Sequence, residues 1–234
     1  MQWIGQSAGK SFAYLLGVYL GDGCVTRAPA RKRFVTVFRL NSIDLDFVEA
    51  TKAALINLGC GRVWTSTHPV KKSVKPNHSL TAKADDICAA LVSATNAKAS
   101  LPQMDGWSRD EKLALVSGLM DSEGFVAATA NPTNRRYYMG FKCCERWVPD
   151  FQALLDSLGI RSGKLGTEVP RREGYRVPMR FTIKMQSWID SGAQFHIARK
   201  QQRVNEWGSA GAYEHRAKFP RRLTSETIRQ TPTA

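Results

Sequence analysis

The sequence predicts an α+β protein built from two pseudo-symmetric halves, each running α-β-β-α-β-β-α. Three observations carry that expectation. FAYLLGVYLGDGCV (12–25) and LALVSGLMDSEGFV (113–126) superpose without a gap at an offset of 101 residues, the distance from Asp22 to Glu123. Ala13 then meets Ala114, Gly17 meets Gly118, Gly21 meets Ser122, and Val25 meets Val126. Further along, Asp46-Phe47 opens an amphipathic stretch that closes on Leu58-Gly59, and Asp150-Phe151 opens one that closes on Leu158-Gly159. Finally, segments rich in β-branched and aromatic residues alternate with segments of helical period in the same order in both halves.

Taken in order, the first greasy segment is apolar nearly all round, as a helix buried between layers should be. RKRFVTVFRLNS (31–42) reads as a strand. DLDFVEATKAALINLG (44–59) has Asp at its start, apolar spacing of three and four, and Gly at its end, and so reads as a helix. GRVWTSTHPV and NHSLTAK read as two further strands and ADDICAALVSAT as a helix. In the second half a helix runs to Asp121, with strands around FVAATA and RRYYMGFKCC and a helix in VPDFQALLDSLG. Strands follow near KLGTEVP and YRVPMRFTIKMQ, then a helix from Ser187. KASLPQMDGWS (98–108) breaks both periodicities and marks the join, dividing the chain into halves 1–97 and 109–207. Residues 208–234 are polar, basic and weakly patterned, and read as a mobile tail.

The 234 residues carry 34 Lys and Arg against 20 Asp and Glu, a net charge of +14. Such an excess points to a polyanionic partner, nucleic acid or an acidic membrane surface. The longest apolar run stops at Asp22, short of the roughly 20 residues a bilayer demands, so no membrane span is expected. MQWIGQSAGK lacks the cationic-then-apolar order of a secretion signal. Five cysteines make an odd count without a CxxC pair, which argues for reduced thiols in a cytoplasmic or organellar setting, not secretion. None of the four histidines stands in a spacing that suggests a metal or nuclease motif.

On a helix, Ala13, Gly17 and Gly21 form one stripe without bulk, and Ala114, Gly118 and Ser122 form its counterpart. Stripes of this kind let two backbones come into close contact. Packing the two helices across a pseudo-twofold axis would carry Asp22 and Glu123 together to one end. There each carboxylate faces the negative end of a helix dipole, at a cost of about 0.3–1 kcal/mol, and repels the other. A hard divalent cation reverses the sign of both terms. The plainer alternative makes Gly23 and Gly124 ordinary helix caps that the acids happen to precede.

At these residues the sequence resembles the LAGLIDADG homing endonucleases in their single-chain, two-motif form. Leu15–Gly23 (LLGVYLGDG) and Val116–Gly124 (VSGLMDSEG) match the nine-residue motif, whose penultimate acid binds the catalytic metal. That acid is Asp22 in the first copy and Glu123 in the second, with Gly21 and Ser122 beside them at the metal. Leu20 replaces the motif's earlier Asp in the first copy, while Asp121 keeps it in the second. The resemblance implies a saddle of two antiparallel four-stranded sheets, each backed by helices, lying in the major grooves of a long, asymmetric double-stranded DNA site. It implies a monomer that cuts both strands with Mg²⁺, accepts Mn²⁺, and binds in Ca²⁺ without cutting. A basic residue near each catalytic centre is also implied: Lys200 with Arg199 as its rival in the second half, and Lys98 in the first. Ser42 and Glu145, ending the second strand of each half, could order water at the metal.

The strands add a reading of their own. In YRVPMRFTIKMQ, Tyr175, Val177, Met179, Phe181, Ile183 and Met185 fall on one face. Arg176, Arg180, Thr182, Lys184 and Gln186 fall on the other, where guanidinium, ammonium and amide groups suit base edges. Arg33, Arg39 and Asn41 in the first half, and Arg136 and Lys142 in the second, are the further DNA-contact candidates. An ordinary half-exposed strand would show the same alternation. Two other functions fit the same scaffold: a non-enzymatic DNA-binding regulator, of the sporulation-regulator type, and an intron RNA maturase.

Overall fold

The structure, a computed structural model, describes residues 6–30, 33–69, 75–129, 137–163, 166–167 and 179–209. Helix α1 (Gln6–Leu20) leads into strands β1 (Cys24–Ala30) and β2 (Arg33–Ser42), helix α2 (Leu45–Asn57), strands β3 (Val63–His68) and β4 (Asn77–Lys83), and helix α3 (Asp85–Ala94). The second half repeats the order with α4 (Arg109–Ser122), β5 (Gly124–Ala128), β6 (Tyr137–Cys143), α5 (Val148–Ser157), β7 (Gly166–Thr167), β8 (Met179–Ile183), α6 (Met185–Ser191) and α7 (Ala198–Ser209). Two antiparallel four-stranded sheets result, ordered β1-β2-β4-β3 and β5-β6-β8-β7. The α+β architecture of two repeated halves is the one expected. No helix among the described residues is long and apolar enough to cross a membrane.

Local chemistry explains the ends of the elements. Ser108 caps α4 through a reciprocal box: its hydroxyl accepts from the Glu111 amide, and the Glu111 carboxylate accepts from the Ser108 amide. The paired Leu-Gly closures are both Schellman motifs. Gly59 (φ 82°) and Gly159 (φ 73°) turn left-handed, while Cys60 and Ile160 donate back to Leu55 and Leu155, each at 2.9 Å. Conversely, Gly23 and Gly124 are not among the left-handed glycines, so the capping alternative fails for both. What they supply is room. A methyl group on Gly23 would lie 2.8 Å from the Phe38 ring and 2.9 Å from Tyr19 Cα, and one on Gly124 would lie 2.8 Å from Met120 Cα. Each glycine lets a strand leave directly beneath the helix it follows.

Helices α1 and α4 form the seam. Every residue of α1 from Ala13 to Leu20 is buried, and α4 is buried from Leu115 to Asp121. The small-residue stripes face each other as expected: a methyl on Gly118 would sit on the Tyr14 carbonyl and 3.2 Å from Gly17 Cα. The sheets lie outside this pair, with Phe38, Leu40, Leu80 and Ala82 of one, and Phe141, Phe181 and Ile183 of the other, turned into the core.

Three local expectations need correction. The α-β-β-α-β-β-α order requires a strand ahead of RKRFVTVFRLNS to which the sequence pattern assigns no segment, and it is β1: CVTRAPA carries Pro and two Ala and alternates poorly, yet it pairs with β2 over its whole length. The last strand stops at Ile183; Lys184 is the N-cap of α6, and Gln186 lies inside that helix, donating to Asp190 four residues on at 2.7 Å. Neither residue extends the strand's polar face. The helix expected from Ser187 is two helices, broken by Gly192 in the left-handed region (φ 80°), and α7 continues to Ser209, past the expected boundary at 207. Tyr175, Arg176, Val177, Arg136 and the tail from 210 onward lie outside the described residues.

Candidate active site and nucleic-acid interface

Because the stripes touch, the C-terminal ends of α1 and α4 arrive together. Gly21 abuts Ser122, and a methyl on Gly21 would stand 3.2 Å from Glu123 Cγ. Glu123 is the C-cap of α4, its amide still bonded to Leu119 O, and Asp22 follows the last turn of α1. Both carboxyls are held above the usual carboxylate range. For Glu123, loss of water is the larger cause and the Asp22 charge the next; Lys98, Lys200 and Lys142 oppose them. Asp22 keeps a solvent-exposed side chain, yet the protein around it displaces enough water to raise it as well, against Lys200 and Lys98.

Both lysines singled out in the sequence stand at this point. Lys98 donates its ammonium to Gly21 O (3.0 Å) and Gly23 O (2.7 Å), the carbonyls on either side of Asp22, and lies 4.9 Å above the Tyr19 ring. Lys200 donates to Met120 O (2.9 Å) and Asp121 O (2.6 Å) at the end of α4. It is 4% exposed, and burial depresses its ammonium to about 8. Burial also lowers Lys98, in this case against the pull of Cys24, Asp22 and Glu123. The rival Arg199 is committed elsewhere: it grips Asp44 with two bonds, Nε to Oδ1 (2.7 Å) and Nη2 to Oδ2 (2.6 Å). Asp44 consequently precedes α2 without capping it by its side chain, and holds the second half's last helix to the first half's second. Ser42 lies in the same cleft as Asp22, its hydroxyl accepting from the Asp44 amide, while Glu145 is exposed on a short 3-10 helix (Glu145–Trp147).

A cleft of about 470 Å³ opens beside the seam, lined by Asp22, Asn41, Ser42, Ser122, Lys200 and Arg203 among others. A divalent metal fits the donor set. The two carboxylates offer hard oxygen and repel each other when ionised, while the neighbouring ammonium groups bond to main-chain carbonyls. Among the described residues no cluster of three or more His, Cys, Asp and Glu side chains gathers, so the remaining positions around an ion would fall to carbonyls such as Gly21 O, to phosphate oxygens and to water. Ser122 is adjacent, but its hydroxyl donates to Gly118 O within its own helix.

The outer faces of the sheets carry the remaining candidates. On β2 the exposed Arg39 and Asn41 alternate with the buried Phe38 and Leu40; Arg39 stands opposite Cys24 and Thr81, and Asn41 opposite Ser79. Arg33 opens β2 opposite Ala30. In the second sheet Lys142 pairs with Arg180, and Thr182 is exposed between the buried Phe181 and Ile183. The Arg180 guanidinium rests 4.4 Å above the Phe125 ring. Register adds residues that the sequence reading passed over. Trp64, 53% exposed, stands opposite Thr81 on the face of Arg39, and Tyr138 lies beside Phe125 on the face of Arg180. The alternation in NHSLTAK was the available signal for Ser79 and Thr81. Trp64 had none, because every neighbour in β3 after Val63 is exposed.

No family model matches the sequence, and no curated protein matches it. Solved structures do match the fold. Mesophilic variants of the homing endonuclease I-DmoI superpose with a TM-score of 0.52 at 15% identity, over 83% of this chain and 98% of theirs. An I-DmoI variant in complex with its target DNA in the presence of Mg superposes at 0.54 with 13% identity, over 80% of this chain and 97% of that one. Full-length DUF199/WhiA from Thermatoga maritima superposes at 0.50 with 15% identity, over 88% of this chain but 63% of its own. With two motif helices packed at the seam, two four-stranded sheets flanking them and matches spanning nearly the whole of those endonucleases, this chain has the fold of the single-chain LAGLIDADG homing endonucleases.

Proposed function

We propose that this chain is a monomeric, site-specific DNA endonuclease that cuts both strands of a long, asymmetric target with Mg²⁺. The observation that carries the reading is the convergence of Asp22, Glu123, Lys98 and Lys200 at one end of the seam. Folding alone disfavours two carboxylates raised above their usual range beside buried ammonium groups. Asp22 and Glu123 would hold the metal, with Mn²⁺ able to replace Mg²⁺ and Ca²⁺ supporting binding alone. Mg²⁺, when bound, supplies a Lewis acid that polarises the phosphate and activates water. The chain's own groups do the rest. Lys98 and Lys200 set positive charge where phosphate charge develops, one beside each motif. The outer faces, through Arg39 and Asn41 in one half and Lys142, Arg180 and Thr182 in the other, fix DNA in the grooves by its base edges. The two faces differ in chemistry, which suits a target whose halves differ.

The test is a plasmid carrying a site selected from a randomised DNA library, incubated with Mg²⁺, Ca²⁺ or EDTA. Linear product with Mg²⁺ alone is the expected result. Tight, specific binding with no cut in Mg²⁺ or Mn²⁺ would overturn the enzymatic reading in favour of a DNA-binding regulator.

A further inference from the structure

The two halves share their acids but not the device that holds each lysine. Asp121 is 2% exposed, and its carboxylate accepts from the Tyr14 hydroxyl (3.0 Å), the His196 amide (3.1 and 3.2 Å) and the Ile197 amide (3.3 Å). His196 Nδ1 stands 3.0 Å from the same carboxylate, and a carboxylate can only accept, so that nitrogen carries its proton. The His196 ring is held in place by edge-on contact with Tyr14 at 4.5 Å. Ile197 O in turn accepts from the amides of Lys200 (2.9 Å) and Gln201 (3.0 Å), so the segment gripped by Asp121 leads directly into the first turn of α7. The Asp121 carbonyl then receives the Lys200 ammonium. One residue of the seam thus fixes both ends of Lys200, its backbone through 196–197 and its ammonium directly. In the first half the equivalent position is Leu20, buried and without a polar group. Lys98 relies instead on a turn in which Asn96, Ala97 and Lys98 are all left-handed (φ 45°, 52° and 67°), with Arg146 donating to Lys98 O at 2.8 Å.

We propose that Asp121, with His196, is a positioning residue for Lys200 alone, so that it governs the cleavage of one DNA strand and not the other. This rests on the nuclease reading given above. A buried carboxylate is costly unless fully bonded, and Asp121 is fully bonded only while α7 is docked with Lys200 at the seam. Removing its charge loosens the 196–197 segment at the entry to α7, which Arg199 on Asp44 and the Ala198 amide on Asp46 still tie to the first half, and lets Lys200 shift from the α4 carbonyls. Lys98, held from the other side, is untouched.

The test compares wild type with Asp121→Asn, Asp121→Leu (which installs the first half's own residue) and His196→Ala, using supercoiled target plasmid and strand-labelled oligonucleotides. In Asp121→Asn, one strand should be cut at the wild-type rate while the other slows roughly 10²-fold, the cost of misplacing a catalytic group by about 1 Å, so nicked circles accumulate. His196→Ala, which keeps both main-chain bonds, should give a smaller loss on the same strand. Equal slowing of both strands, or no slowing, would overturn the proposal. A readout independent of cleavage is reductive methylation of Lys200 in the free protein, followed by mass spectrometry. Lys200 should be protected in wild type and reactive in Asp121→Asn and Asp121→Leu, with Lys98 unchanged. Protection retained in both variants also overturns it. If wild type cuts neither strand while methylation behaves as expected, the nuclease reading fails and the positioning of Lys200 stands.

Discussion

Gly118→Ala tests the seam with the smallest possible insertion. In α4 the added methyl would land on the Tyr14 carbonyl oxygen, 3.1 Å from Val18 N and 3.2 Å from Gly17 Cα. All three are backbone atoms of α1, so no rotamer change relieves the clash and the helices must separate. Overpacking of a tight core costs about 1–3 kcal/mol, occasionally more, and a backbone clash belongs at the top of that range. Against this, Ala in place of Gly returns about 1 kcal/mol of helix propensity. The net is a loss of about 2 kcal/mol, which in a protein of this size lowers the thermal midpoint by roughly 4–8 °C. Gly61→Ala is the matched control: nothing lies within 4 Å of its added methyl and its φ is not left-handed. It should be neutral or stabilising by about 0.4–1 kcal/mol. Thermal unfolding followed by near-ultraviolet circular dichroism reads both, and Gly118→Ala should lower a single transition shared by both halves. A midpoint at or above wild type for Gly118→Ala would refute the close approach of the two helices.

Asp22→Asn or Glu123→Gln should abolish cleavage and leave specific binding in Ca²⁺ intact; turnover within about tenfold of wild type would remove that acid from the metal site. Both acids are raised above their unfolded range, so each favours the folded state as a neutral acid and loses that contribution as pH rises through its raised value. Without metal, Glu123→Gln should therefore raise the thermal midpoint at neutral pH, and added Mg²⁺ should stabilise wild type much more than the variant; equal response of both to Mg²⁺ would count against metal binding there. DNA affinity should fall about 10³–10⁵-fold between 50 and 200 mM salt if 6–10 phosphates are contacted, and a nearly flat dependence in a binding titration would point to another partner.

What could be read from the sequence follows from where the physics is local. The seam was legible because close packing of helices leaves a four-residue period of Ala, Gly and Ser, and because the repeat displays it twice. The Leu-Gly closures were legible for the same reason: only glycine takes the left-handed position at low cost. Strand β1 was hidden because CVTRAPA is specified by pairing along β2, a non-local property, rather than by its own alternation. Lys184 and Gln186 were misplaced because the burial alternation runs on from β8 through Met185, so period alone did not show where strand became helix. Asp121 could be seen as a motif position, but its work could not: its partners Tyr14 and His196 lie 107 and 75 residues away. Arg199 and Lys200 were adjacent candidates for one role, and only the docking of α7 on Asp44 separates them.

Seam and site constrain each other through distance. Two carboxylates reach one metal only if the ends of their helices touch, and helix ends touch only where neither carries a side chain at Gly17, Gly21 and Gly118. The same closeness makes the carboxylates repel and sets them at the unfavourable ends of two dipoles. The glycines are therefore costly twice, once in chain entropy and once in the charge they bring together. Leu15, Leu16, Val18 and Leu20 of α1 and Leu115, Val116 and Leu119 of α4, all buried, supply the compensating burial. A substitution that widens the seam without unfolding it should thus show in the metal before it shows in the fold. In Gly17→Ala, whose methyl would stand 2.7 Å from Leu119 N, the Mg²⁺ concentration needed for half-maximal cleavage should rise even at temperatures where the protein is fully folded. An unchanged Mg²⁺ requirement in a folded Gly17→Ala protein would mean that the carboxylates are held in place by something other than the touching backbones.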